Sequence, residues 1–192
     1  FVVVTRTSGA VNERQGISLF LVGASTPGVQ VTGYKVYDGS RAGDLRLDDV
    51  VLGEGALLGT EGEGLALLEH LIDLGIVAVC ADALGAMGAL LRKTGEYVST
   101  RKQFDVPIAS FQVIQHRLVD MFAAVEASRS LLLMAALHAD HADAAARSRA
   151  VSAAKSAIGE RARKLGRSPA QVIVRWHLQN GNDQLITGLI DI

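Results

Sequence analysis

The chain has 192 residues, with 19 Lys+Arg against 20 Asp+Glu, 49% apolar residues and a single cysteine. That balance excludes a disordered, collagen-like or disulfide-framed chain, and the absence of any Lys/Arg run gives no reason to expect a nucleic acid partner. No unbroken apolar run reaches the roughly 18 residues that suggest a membrane span, and the lone Cys80 fits a reducing compartment, so a cytoplasmic chain is expected. The chain opens Phe1-Val2-Val3-Val4, without Met or a signal-peptide pattern, and reads as a fragment or a processed chain.

Three alanines lie in residues 1–53 and 24 in residues 54–192. Ala is the best helix former, so this shift marks a boundary. Residues 1–53 read as a partial β-domain, with strands at 1–7, 17–22, 29–32 and 45–52. Turn formers separate them at Ser8-Gly9, Pro27-Gly28 and Asp38-Gly39-Ser40. Short strands joined by turns predict an antiparallel sheet rather than βαβ units. From Thr60-Glu61-Gly62-Glu63, a candidate capping box, apolar residues recur at Leu68, Ile72, Ile76, Val79, Ala83, Met87 and Leu90. This spacing predicts a helix running to about residue 100, roughly 54 Å long at 1.5 Å per residue. Phe104-Asp105-Val106-Pro107 interrupts it. A second helix follows from near Ser110, its stripe Phe111, Ile114, Leu118, Met121, Val125 and Leu132, with Ser128 at the missing step. A third runs from about Asp143 to Leu165, and Ser168-Pro169 opens a short fourth. The expected fold is α+β and mostly α: a partial antiparallel β-domain (1–53), an up-down helical bundle (54–165) and a divergent tail (166–192).

Few residues suggest chemistry. His138 and His141, near Asp140 and Asp143, have a spacing that could hold a metal, but a polar helix junction is the favoured reading and no metal is expected. Cys80 reads as a small core hydrophobe. One segment stands apart: Arg101-Lys102-Gln103-Phe104-Asp105-Val106-Pro107-Ile108-Ala109-Ser110-Phe111-Gln112. Two cations at the end of a long helix complement its dipole. The same arrangement lets Arg101 grip a phosphate with its planar fork, Phe104 stack on a ring, and Gln112 and Gln115 donate amide hydrogen bonds. Both readings fit the residues.

This segment resembles the acyl-CoA dehydrogenase motif Arg-Lys-Gln-Phe-Gly-x-Pro-Ile-x-x-Phe-Gln, with Asp105 where the motif has Gly. Pro27-Gly28-Val29, Leu47-Asp48-Asp49-Val50, Leu57-Leu58-Gly59-Thr60-Glu61-Gly62-Glu63-Gly64, Asp120-Met121 and Glu126-Ala127-Ser128-Arg129-Ser130 extend the resemblance in order over roughly residues 1–165. The resemblance implies an FAD-dependent enzyme that removes the α and β hydrogens of an acyl-CoA thioester. It nominates Arg101, Gln103 and Phe104 for the pyrophosphate and adenine part of FAD held with a neighbouring subunit, and Gln112, Ile114 and Gln115 less directly. It also implies a homo- or hetero-oligomer, dimeric or tetrameric, and an electron-transferring flavoprotein as acceptor. The catalytic residue stays unknown. Where some members carry the base on the first long helix, alignment through Asp73-Leu74 gives Gly75, and the next position, often an Arg associated with CoA, is Ile76. Glu69 and Asp82 are on the same helix but off that position. The missing base is similar to the small-subunit type of the family, which pairs with a second subunit. A non-catalytic flavin-binding or assembly subunit, or an inactive fragment, is the alternative. Residues 166–182 resemble instead a helix of the aldo-keto reductases, too little for that barrel or its site.

Overall fold

The computed structural model describes residues 1–37, 39 and 41–164. The fourth helix and the tail expected beyond them lie outside the described residues. The described residues divide into two compact units, the first Phe1–Ile72 and the second residues 73–164.

In the first unit, β1 (Val2–Arg6), β2 (Ile17–Leu21) and β5 (Leu57–Leu58) form an antiparallel sheet in the order β1-β2-β5. β3 (Val29–Lys35) and β4 (Arg41–Leu47) form a separate antiparallel pair, Val29↔Leu47 through Lys35↔Arg41. β4 therefore lies earlier than the expected 45–52. Its pairing with β3 ends at Leu47, Asp48 N–H bonds Gly28 O, and Asp49 turns to a φ of 49°. The β1–β2 connection is tied by one side chain, the Arg6 guanidinium donating to the carbonyls of Ser8, Val11, Glu13 and Gln15. Leu19 and Val22 are buried. Beside them the fully buried Ser18 hydroxyl is satisfied by Thr7 Oγ1 and by the Gly62 N–H, each at 2.8 Å. A buried hydroxyl needs such partners, since leaving it unpaired costs about 1–3 kcal/mol.

The candidate capping box does not cap. Glu63 N–H returns to Thr60 O as a backbone turn, and Gly62 sits at a φ of 80° with its own N–H on Ser18. That left-handed residue breaks the helical path, so α1 starts at Gly64 and runs to Thr100, 37 residues. A Cβ at Gly64 would lie 3.0 Å from Ile17 O and from Leu19 Cγ, which explains a glycine at the start of α1.

The second unit holds the rest of α1, α2 (Gln112–His138) and α3 (Ala144–Lys164), with β6 (Lys102–Gln103) and β7 (Val106–Pro107) between the first two helices. Cys80, Ala83 and Met87 pack with Val125 and Ile158, and Ile76 and Val77 pack with Ala135, Val151 and Ala154. Residue numbers thus rise together along α1 and α3 and fall along α2, which is the expected up-down arrangement. Ile76, Ala83 and Met87 of the expected α1 stripe lie in the core, but not every member of that stripe does. Cys80 is buried, whereas Ile72 and Val79, at 51% and 61% exposure, face outward. Asp73 and Arg147 form a buried ion pair at 2.9 Å joining α1 to α3, with Arg147 Nη1 also donating to His141 O.

By length and composition α1 is apolar enough to cross a membrane, and 22% of its most apolar window is buried. The expectation of no span rested on unbroken runs, which Asp73 and Asp82 interrupt. Averaged apolarity is a looser test, and core helices of non-membrane proteins also meet it.

Candidate functional site

The site begins where α1 stops. Thr100, its last residue, turns its hydroxyl back onto the carbonyls of Glu96 and Tyr97, 3.1 Å from each. Arg101 N–H continues the ladder to Tyr97 O at 2.9 Å, and Arg101 O accepts from Ile108 N–H at 2.9 Å. Both main-chain groups of Arg101 are engaged. Its side chain is exposed and, among the described residues, has no hydrogen-bond or ion-pair partner.

β6 and β7 pair antiparallel, Lys102↔Pro107 and Gln103↔Val106. Phe104 and Asp105 make the two-residue connection at φ 53° and 63°. Two successive positive φ values are the pattern of a type I′ turn, which ordinarily recruits Asn-Gly or Asp-Gly. A side chain in this left-handed region costs roughly 1–2 kcal/mol, and Asp and Asn bear it better than Phe. Phe104 stands there 87% exposed. Its described ring contact is Phe111, centroid to centroid 6.3 Å with the planes at 89°, an edge-to-face pair.

The return to α2 is equally tied. Ile108–Ser110 makes one 3₁₀ turn, closed by Ser110 Oγ donating to Pro107 O at 2.7 Å. Phe111 is extended rather than helical, at φ −79° and ψ 125°, so the first residue of the expected α2 stripe lies before that helix. Its carbonyl accepts from the N–H groups of Ile114 and Gln115, and Gln115 Nε2 reaches back to Ala109 O at 2.9 Å. Arg101, Gln103 and Phe104 are therefore brought together on one hairpin, with Gln112, Ile114 and Gln115 in the opening turn of α2 directly after it. Gln103, Gln112 and Gln115 are exposed, Ile114 is partly buried, and one amide donor of Gln115 is committed within the chain. The result is a free guanidinium, an exposed aromatic face and the positive end of a 27-residue helix dipole within a dozen residues, a set suited to an anion joined to a flat ring.

The other candidates have structural employment. The His138 and His141 rings stack at 5.7 Å, His138 Nδ1 lies 2.8 Å from Met134 O, and His141 Nδ1 accepts the Asp143 N–H at 3.1 Å. Among the described residues no three metal-capable side chains cluster. Burial pushes the Cys80 thiol pKa up, partly offset by Lys155, so it is a poor nucleophile. Gly75 is exposed, and a Cβ placed on it would meet nothing within 4 Å. Ile76 packs in the core, and Glu69 pairs with Arg14. An apolar groove between α1 and α2 is lined by Leu91, Leu118, Val119 and Phe122, with Arg92 and Glu96. Sequence reasoning missed two features, the Asp73–Arg147 pair and the ring contact between Phe104 and Phe111.

With this geometry in place, the chain can be set beside known proteins. The family described as "Acyl-CoA dehydrogenase, C-terminal domain" matches residues 62–173. A probable acyl-CoA dehydrogenase of Bacillus subtilis, YngJ, is 34% identical over 146 residues, covering 73% of this chain and 38% of its own length. The fold is similar to that of butyryl-CoA dehydrogenase from Megasphaera elsdenii, with a TM-score of 0.71 and 26% identity over 93% of this chain and 51% of that one. It is also similar to the ChsE4-ChsE5 complex of Mycobacterium tuberculosis, with a TM-score of 0.69 and 30% identity over 92% of this chain and 44% of the other. The chain thus spans about two fifths of YngJ and about half or less of the two solved structures. Its motif, its helical order and the family match over more than half its length agree: this chain belongs to the acyl-CoA dehydrogenase family.

Proposed function

We propose that the chain supplies the nucleotide-holding end of an FAD-dependent enzyme that dehydrogenates acyl-CoA thioesters between the α and β carbons. The observation that carries this reading is the Arg101 side chain, exposed and unpaired among the described residues, on a main chain already fixed at both its N–H and its C=O. When bound, FAD supplies the acceptor for the hydride leaving the β carbon. The residues present fit its pyrophosphate and adenine half. Arg101 would hold the pyrophosphate with its guanidinium, Phe104 would offer its exposed ring to the adenine half, and Gln103 would offer an amide edge. Gln112, Ile114 and Gln115 border the same hairpin from α2. The acyl-CoA substrate class is supported by the relatives, a probable acyl-CoA dehydrogenase and a butyryl-CoA dehydrogenase. An oligomer and an electron-transferring flavoprotein as acceptor complete the proposal.

One observation favours a second reading. Gly75 stands exposed at the first-helix position for a base and offers no carboxylate. A flavin-binding or assembly subunit paired with another subunit explains that residue, and the ChsE4-ChsE5 neighbour is a two-component complex.

The test is direct. The purified chain is mixed with FAD, freed of unbound cofactor and read by its visible flavin absorbance, then treated with butyryl-CoA. Retained colour is expected. Bleaching by the thioester supports dehydrogenation, and colour without bleaching supports the second reading. Arg101→Ala should weaken FAD retention by about 1.5–3 kcal/mol, the range of a hydrogen bond to a charged group, while Lys102→Ala changes it little. A chain that stays colourless, or two variants that retain FAD equally, overturns the assignment.

A further inference from the structure

We propose that Phe111 is a positioning residue: packed edge-to-face against Phe104, it holds that ring so that its free side is presented to the flat heterocycle of a nucleotide diphosphate. The proposal rests on the functional reading above and adds to it a residue that makes no contact with the ligand.

Phe104 sits at the tip of a two-residue turn with both tip residues at positive φ. A residue 87% exposed on such a tip has little around it to restrict its rotamers. Asp105, beside it, is a short acid with no ring to pack, and the strand residues Gln103 and Val106 are exposed. Phe111 differs. It is partly buried, and its own backbone is anchored by two N–H donors from α2, Ile114 and Gln115. The loop before it is braced by Ser110 on Pro107 O and by Gln115 on Ala109 O. Phe111 is therefore the fixed member of the pair and Phe104 the held one. Their planes meet at 89°, so Phe111 contacts Phe104 without covering both of its faces. A stacking platform needs one contact that fixes the ring and one face left open, and this pair provides both. The sequence separation also suits the role: the eight residues from Phe104 to Phe111 contain the whole return of the hairpin, so the ring contact closes that loop on itself.

Binding of two probes to the full chain, ADP and inorganic pyrophosphate, separates this role from its neighbours. Isothermal titration is run on the parent chain and on Arg101→Ala, Phe104→Leu, Phe111→Leu and Phe111→Tyr. The expected pattern is that Arg101→Ala weakens both probes. Phe104→Leu and Phe111→Leu weaken ADP by about two- to tenfold, the range an aromatic pair of this geometry supplies, and leave pyrophosphate unchanged. Phe111→Tyr, which keeps the ring, restores ADP binding, and the Phe104→Leu/Phe111→Leu double variant is no weaker than Phe104→Leu alone. Equal loss of both probes in Phe111→Leu means a general structural role and overturns the proposal. So does unaltered ADP binding in Phe111→Leu while Phe104→Leu binds less. If Arg101→Ala affects neither probe, or neither binds the parent chain, the nucleotide reading itself fails and the positioning role falls with it.

Discussion

Removing one member of the Asp73–Arg147 pair should be the most damaging conservative change in the helical unit. The two side chains are 11% and 8% exposed, the N···O distance is 2.9 Å, and Arg147 also donates to His141 O. Asp73→Ala leaves a guanidinium buried between α1 and α3 with that carbonyl as its described partner. Breaking a buried pair on one side costs about 3–5 kcal/mol, or about 6–20 °C in Tm for a chain of this size. The Arg129–Glu126 pair is an internal control from the same unit, at 3.3 Å with 54% and 45% side-chain exposure. An exposed pair contributes about 0–1 kcal/mol, so Glu126→Ala should shift the urea midpoint little. The double variant Asp73→Leu/Arg147→Met removes both charges and fills the volume, and it should recover most of the loss. Urea unfolding followed by far-UV circular dichroism reports these differences, because helix dominates the signal. Equal and small losses for Asp73→Ala and Glu126→Ala would show that burial does not govern this pair. A double variant as unstable as the sum of the two singles would show that packing, not charge, holds α3 to α1.

Other outcomes follow from local geometry. Asp105→Gly should relieve the strain of a φ of 63°, a gain partly offset by the larger backbone entropy that glycine loses on folding, so a small rise in Tm is expected in thermal melts. Cys80 should react slowly with a thiol-specific disulfide reagent at mildly alkaline pH in the native chain and rapidly in urea, because burial disfavours its thiolate. Asp143 caps α3 through the Ala145 and Ala146 N–H groups, which lower its carboxyl pKa. A carboxylate whose folded pKa is depressed contributes its stability fully above the unfolded value, and the contribution disappears as pH falls through the folded one. Asp143→Ala should therefore lower the urea midpoint at neutral pH and erase part of the difference between neutral and acid midpoints.

Periodic features were legible in the sequence. The apolar spacing gave α1 its length to within a residue or two, and the β-branched runs located β1, β2 and β3. Ser128 was legible too, as the polar step in an apolar stripe, and it is fully buried with its hydroxyl on Ala124 O. What failed was governed by one residue's backbone or by distant partners. Thr60-Glu61-Gly62-Glu63 matches a capping box by residue type, but Gly62 takes a left-handed φ that no spacing rule detects. The I′ turn at Phe104-Asp105 was hidden because neither residue is Gly or Asn. Phe111 continues the α2 stripe numerically yet precedes the helix, where it meets Phe104 instead. Asp73 and Arg147 are 74 positions apart, and neither has a local signal for the other. The hairpin that gathers Arg101, Gln103 and Phe104 was legible as a motif, while the ring contact within it required three dimensions.

The engaged main chain of Arg101 has an entropic consequence. Its N–H and C=O are fixed by Tyr97 and Ile108. An arriving anion therefore orders one side chain and almost no backbone, and that ordering costs about 1.5–2 kcal/mol for an arginine. Adding a second cation nearby would raise the positive potential but leave that cost in place. Contacts that restrict the Arg101 rotamer before binding would lower it. Affinity at this hairpin is thus more open to improvement through preorganisation of one guanidinium than through further charge.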